Sequence, residues 1–93
     1  MDNYIEELKN KIEILYARIN KETDILFAYD LIEKGNNKYQ NIFLFPKIIN
    51  RNMQSGNYKR AVRYFLMAEK LMEDIEKNQE KIKKKITDYI MRE

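Results

Sequence analysis

The sequence predicts an all-α protein in which two long antiparallel helices form a coiled-coil-like hairpin and a short helical segment caps one end. Two stretches of apolar residues repeat with alternating spacings of three and four, which is the a/d seam of a heptad repeat. Only two glycines and one proline occur among 93 residues, too few turn formers for an all-β domain. The chain has room for one hydrophobic core, so residues 1–93 are expected to form a single domain.

The first helix is expected over residues 3–34. Its seam consists of Ile5, Leu8, Ile12, Leu15 and Ile19. A polar residue, Glu22, then enters the seam before a broader apolar stretch begins. Gly35-Asn36-Asn37 follows, and glycine and asparagine readily adopt the left-handed conformation that ends a helix.

The middle segment, residues 38–54, is the least regular part of the sequence. It contains the apolar run Ile42-Phe43-Leu44-Phe45, for which periodicity alone does not separate a strand from a helix. No other segment has a strand pattern that could pair with it, so we predict a short helix from Pro46 to Gln54, preceded by a further helical turn. We expect this segment to pack across the open end of the hairpin.

The last helix is expected over residues 57–91 without a break. Its seam consists of Ala61, Phe65, Ala68, Met72, Ile75, Gln79, Ile82, Ile86 and Tyr89. We expect its single polar member, Gln79, to be a weak point whose replacement by leucine stabilises the protein, because an amide buried without partners costs about 1–3 kcal/mol. In the antiparallel alignment of the two seams, Ile5 pairs with Tyr89 and Ile19 with Ile75.

A homodimer is an open alternative to the isolated hairpin. Isoleucine at a and leucine at d is typical of parallel two-stranded coiled coils. The hairpin also leaves apolar residues such as Tyr4 and Ile14 outside the main seam.

The composition argues against catalysis and metal binding. The chain has no cysteine and no histidine, and Ser55 is its only serine, so a nucleophile–base set or a thiolate or imidazole metal site has no residues to draw on. We therefore expect a non-enzymatic protein with no catalytic residues, no metal and no cofactor. No apolar run approaches the ~18 residues of a membrane span, and the N-terminus is polar and acidic, so we expect a cytoplasmic protein without membrane partners.

The charge of the chain is unevenly distributed. The net charge is +3, yet residues 1–33 carry four positive and eight negative side chains and residues 69–93 carry seven of each sign. Residues 34–68 carry seven cations and no acidic residue, with aromatic residues interleaved. Clustered cations bind anionic surfaces, which makes this segment the candidate partner-binding site. The candidate residues are Lys38, Lys47, Arg51, Tyr58, Lys59, Arg60 and Arg63.

These features favour a small protein-binding inhibitor or adaptor that docks on an acidic surface of a larger protein or nucleoprotein complex. Lysine, isoleucine and asparagine make up 36 of the 93 residues, which is typical of AT-rich coding sequences. That bias favours a phage or mobile-element protein that blocks a nucleic-acid system in its host's cytoplasm.

Two other functions remain open. The first is direct binding of DNA or RNA, either through aromatic stacking and phosphate contacts or through a helix-turn-helix formed by residues 46–54, Ser55-Gly56 and the start of the last helix. The second is a structural coiled-coil subunit.

One short stretch resembles a known family. Gly56, Tyr58, Ala61, Phe65 and Ala68 are spaced as in the second helix of a tetratricopeptide repeat. The resemblance covers residues 56–68 only; Ile49 and Asn52 replace the glycine and tyrosine of the first helix, and Glu73 replaces the terminating proline. It implies a closely packed helical pair and a tendency to bind proteins, without a repeat array.

Overall fold

A computed structural model describes residues 2–92, and the side chains of residues 3–92. The chain forms helices α1 (Asp2–Ile32), α2 (Phe45–Gln54), α3 (Tyr58–Lys77) and α4 (Gln79–Arg92), with a short 3-10 helix (Gln40–Leu44) directly before α2. No strand occurs in this part of the chain, so the predicted all-α class is confirmed. None of these helices is long and apolar enough to cross a bilayer.

Helix α1 and the α3–α4 pair run in the same direction. Leu8, near the start of α1, lines the same surface depression as Phe65, near the start of α3. Just past the end of α1, Glu33 Oε1 lies 3.8 Å from Lys85 Nζ of α4. A residue further along α1 thus contacts a residue further along the α3–α4 pair. The residue numbers increase in the same direction in both, so the helices are parallel.

The expected antiparallel hairpin is therefore wrong. It pairs Ile5 with Tyr89, whereas the structure places them at opposite ends of the molecule. The two alignments nearly coincide at Ile19 and Ile75, which are both buried in the core. Heptad seams define which faces meet but not their direction, because the spacing of three and four reads the same way from either end.

The middle segment is a third helical layer rather than a cap. Its start packs beside the end of α1, where the rings of Tyr39 and Tyr29 lie 6.0 Å apart. Further along, the hydroxyl of Tyr16 contacts Pro46 and Asn50 of α2. The segment thus runs back along both long helices. This path buries its apolar side chains along the length of the bundle, whereas a cap would contact the long helices only at one end.

The resulting up-down-up bundle has one continuous core. Its middle layer contributes Ile42 and Ile49, which are completely buried, and Phe45. The long helices contribute their seam residues: Leu8, Ile12, Leu15, Ile19 and Leu26 from α1, and Phe65, Ala68, Met72, Ile75 and Ile82 from α3 and α4. The molecule is a rod with Cα extents of 55 × 19 × 16 Å.

The expected single last helix is broken at Asn78. The side-chain amide of Asn78 donates to the Asp74 carbonyl oxygen at 2.8 Å and to Asp74 Oδ1 at 3.0 Å. Asparagine side chains that bond nearby backbone in this way compete with the helical hydrogen-bond pattern. The break separates α3 from α4 while the seam continues across it.

The expectation that Gln79 is an unsatisfied weak point is also wrong. Its side-chain Nε2 donates to Glu22 Oε1 at 2.9 Å and to Glu22 Oε2 at 2.8 Å. Glu22 is only 3% exposed, so the polar residues that interrupt the two seams form one buried pair. The amide supplies hydrogen bonds to a carboxylate that has lost most of its contact with water.

Candidate partner-binding site

The turn between α2 and α3 brings the ends of two basic helices together. Gly56 has a φ of 77°, in the left-handed region that favours glycine. The backbone N–H of Asn57 donates to the Asn52 carbonyl at 2.9 Å. Asn57 Oδ1 in turn accepts from the Arg60 N–H at 3.3 Å and caps the start of α3. These bonds fix how α3 leaves the turn.

Five of the predicted residues lie on the two helices that this turn joins, and we call them the basic turn: Lys47 and Arg51 on α2, and Lys59, Arg60 and Arg63 near the start of α3. All five are exposed. Among the side chains that the structure describes, none of the five has a carboxylate oxygen within 4.0 Å. Ala61 and Phe65 occupy the buried positions of this part of α3, which leaves the cations on its outer side.

Local electrostatics does not favour two of these cations, Lys59 and Arg60. Neither α2 nor α3 has an acidic residue in its first turn. Lys59 and Arg60 lie in the first turn of α3, where the helix dipole is positive and acidic side chains are the stabilising ones. Their charge thus opposes the dipole and has no partner within the described chain.

Lys38 lies away from the basic turn, although the sequence groups it with the other cations. Its Nζ is 3.0 Å from Asp74 Oδ2 and lies 5.2 Å from the centre of the Tyr39 ring. The hydrogen bond to Asp74 raises the pKa of Lys38 and lowers the pKa of Asp74. Lys38 therefore already has a carboxylate partner in its own chain.

The aromatic residues of the segment mostly serve packing. Tyr39 is 3% exposed, and the Phe43 ring stacks on Phe27 with ring centres 4.8 Å apart. Tyr58, a predicted site residue, is half-buried at the start of α3, as is Tyr64 further along. The site is thus a set of free cations on a packed helical pair, without a row of open aromatic faces.

Tyr16 holds α2 and its cations against α1. Its hydroxyl donates to Asn50 Oδ1 at 2.7 Å and lies 3.1 Å from the carbonyl oxygen of Pro46. Burial, with a smaller effect from the nearby Glu13 carboxylate, raises the pKa of Tyr16 to about 12. The sequence indicates none of this, because Tyr16 lies outside the a/d seam.

Comparison with known proteins gives no further assignment. No family model matches the chain, and neither a curated protein nor a solved structure matches it. The tetratricopeptide resemblance of residues 56–68 stays a prediction. The candidate site therefore rests on the residues and geometry of this chain alone.

Proposed function

We propose that the protein is a non-enzymatic inhibitor or adaptor that docks its basic turn on an acidic surface of a larger partner. The observation that carries this proposal is the lack of carboxylate partners around five exposed cations. In contrast, Lys38, Lys85 and Arg18 each have a carboxylate within 4.0 Å.

The placement of the cations supports a binding role over a role in stability. Two of them oppose the dipole of α3, and all five lie exposed on α2 and the start of α3. A surface that only maintained solubility would mix both signs of charge. An acidic partner would supply the carboxylates that this end of the chain lacks, which gives electrostatic complementarity and fast association.

An acidic protein surface suits this site better than single-stranded nucleic acid does. Base stacking needs open aromatic faces, whereas Tyr39 is buried and the Phe43 ring packs on Phe27. Contacts to a phosphate backbone remain the main rival because they need only the cations. We extend the proposal to a partner that acts on nucleic acid in the host of a phage or mobile element. This extension rests on the lysine, isoleucine and asparagine content of the chain, which is typical of AT-rich coding sequences.

The test is affinity capture from the native host with the wild-type chain and two charge-reversal variants. Arg60→Glu with Arg63→Glu alters the basic turn. Lys83→Glu with Lys84→Glu makes the same change in charge at exposed positions of α4. We expect a protein that is retained by the wild type and by the α4 variant and is lost with the turn variant. Loss with the α4 variant alone would move the site to the other end of the rod.

A titration against random duplex DNA separates the rival function. A direct DNA binder loses affinity steeply as salt rises, with a slope set by the number of phosphates neutralised. We expect the wild type to bind weakly and only at low salt, and we expect Arg60→Glu with Arg63→Glu to abolish this binding. Tight binding at physiological salt with a steep slope, together with no captured protein, would establish nucleic acid as the ligand instead.

A further inference from the structure

Two long rows of mostly exposed side chains, one on α1 and one on α3 and α4, lie on the side of the bundle away from α2. The α1 row has spacings of three and four and contains Tyr4, Glu7, Lys11, Ile14, Arg18 and Lys21. Ile14 is 62% exposed and Tyr4 54% exposed, although both are large apolar residues. Three cations and a single anion give the middle of this row a positive charge.

The second row follows α3 into α4 and contains Val62, Leu66, Glu69, Glu73, Glu76 and Glu80. Leu66 is 55% exposed at the end near Tyr4, and four glutamates follow it. The two rows are neighbours: Tyr4 and Lys11 line one depression with Val62 and Leu66. We call the pair of rows the two-helix strip.

Contacts within the chain show which residues of the two rows lie at the same level, that is, at the same height along the rod. Arg18 makes a two-point hydrogen bond with Glu76, from Nη2 at 2.6 Å and from Nε at 3.1 Å, and lies 4.0 Å from Glu69. This pairing raises the pKa of Arg18 and lowers that of Glu76. Among the described side chains, Lys11, Lys21 and Glu73 have no ion pair within 4.0 Å, so charge of both signs remains on the strip.

We propose that the two-helix strip binds a second copy of this chain, with the two copies parallel and related by a twofold axis along the helices. In this arrangement each α1 row faces the glutamate row of the other copy at the same level. Lys11 then lies opposite Glu69, Lys21 lies opposite Glu76 and Glu80, and Tyr4 lies opposite Val62 and Leu66. Tyr4 thus meets apolar residues and the two lysines meet anions, while Ile14 lies at the level of the glutamates.

Charge selects this orientation over the antiparallel one. An antiparallel twofold dimer places each row on the same row of the other copy, so the glutamates face glutamates and Lys11 approaches Arg18. Like charges placed opposite one another oppose association.

The surface area of the rod suits such a contact. The chain exposes 7028 Å², whereas a compact monomer of this mass exposes about 5,800 Å². This excess per chain is larger than the roughly 800 Å² that each partner buries in a standard interface. The strip contains neither Arg60 nor Arg63, so the variant that tests binding at the basic turn leaves the strip unchanged.

Sedimentation equilibrium over a range of micromolar concentrations tests the dimer. We expect the wild type to dimerise, and Lys11→Glu with Lys21→Glu to weaken dimerisation about tenfold or more, since reversed exposed pairs each contribute a fraction of 1 kcal/mol. Adding Glu80→Lys to that variant restores opposite charges at the level of position 21 and should recover part of the dimer. The matched control, Lys47→Glu with Arg60→Glu, changes exposed cations outside the two rows and should dimerise like the wild type. A monomeric wild type, or equal weakening by the control, would overturn the proposal.

The relative orientation of the two copies is measured separately, as the distance between spin labels attached to Thr87→Cys in each copy. The chain has no cysteine, so this exposed position carries the only label. A parallel dimer brings both labels to the same end of the rod, and we expect a distance well below half of its 55 Å length. A distance near the full length would show antiparallel copies and refute the parallel arrangement.

Discussion

At the basic turn, cations lie exposed on α2 and α3 with no carboxylate within 4.0 Å among the described side chains, whereas at the other end of the rod two exposed lysines each contact a carboxylate. Lys38 pairs with Asp74 and lies over the Tyr39 ring, and Lys85 approaches Glu33 and the Tyr29 ring. Both regions are rich in cations, with two lysines and three arginines in the basic turn and four lysines within residues 81–85. The difference shows that cation density alone does not predict which cations are paired, because pairing depends on the carboxylates that the fold brings close.

The buried polar pair Glu22–Gln79 gives the largest expected effect on stability. Gln79→Leu leaves the Glu22 carboxylate buried without its amide donor, and we expect a loss of about 2–4 kcal/mol in the free energy of unfolding. Urea denaturation measures this loss. The matched control is Glu22→Leu combined with Gln79→Leu, which replaces the pair by apolar groups and should recover most of the stability. Wild-type stability of the single variant would show that the pair contributes nothing.

The same pair shows what could be predicted from the sequence. Helical class and seam residues followed from periodicity, since Leu15, Met72 and Ile75 are almost completely buried. The direction of the helices did not follow from it. Yet the antiparallel alignment places Glu22 and Gln79 each opposite an apolar residue, whereas the parallel alignment places them opposite each other. Pairing the two seam interruptions would have indicated the correct direction.

The candidate site was predictable only in part. Charge counts located the segment, and five of its cations lie exposed on α2 and the start of α3. Lys38 is separated from them because the middle segment runs the length of the bundle instead of capping its end. Sequence distance gave no indication of this, since the partner of Lys38, Asp74, lies in a different helix.

The attachment of α2 to α1 should weaken in alkali because of Tyr16. Its pKa is raised to about 12, so the folded state favours the neutral phenol. The stability that this preference provides is fully present below the usual tyrosine pKa of ~10 and is lost as the pH rises from about 10 to 12. We expect the wild-type Tm to fall by a few degrees across this range. Tyr16 is partly exposed, so solvent screening keeps the effect modest.

Tyr16→Phe is the control for this alkaline transition. It removes the titrating hydroxyl, so its Tm should be lower than that of the wild type at neutral pH and should fall less steeply between pH 10 and 12. The other tyrosines are the same in both proteins, so their effects cancel in the comparison. Parallel curves for the two proteins would show that Tyr16 is not the group responsible.

The smallest expected effect on stability belongs to the basic turn itself. Arg60→Glu with Arg63→Glu breaks no ion pair among the described side chains and places an acidic group at position 60, in the first turn of α3, where it contributes about 0.3–1 kcal/mol of favourable interaction with the dipole. The Tm should stay the same or rise slightly. Lys38→Glu with Lys85→Glu makes the same kind of change at the other end and should lower the Tm, because both lysines have carboxylate partners there. A clear fall in Tm for the turn variant would assign its arginines to folding and remove the main support for a binding role.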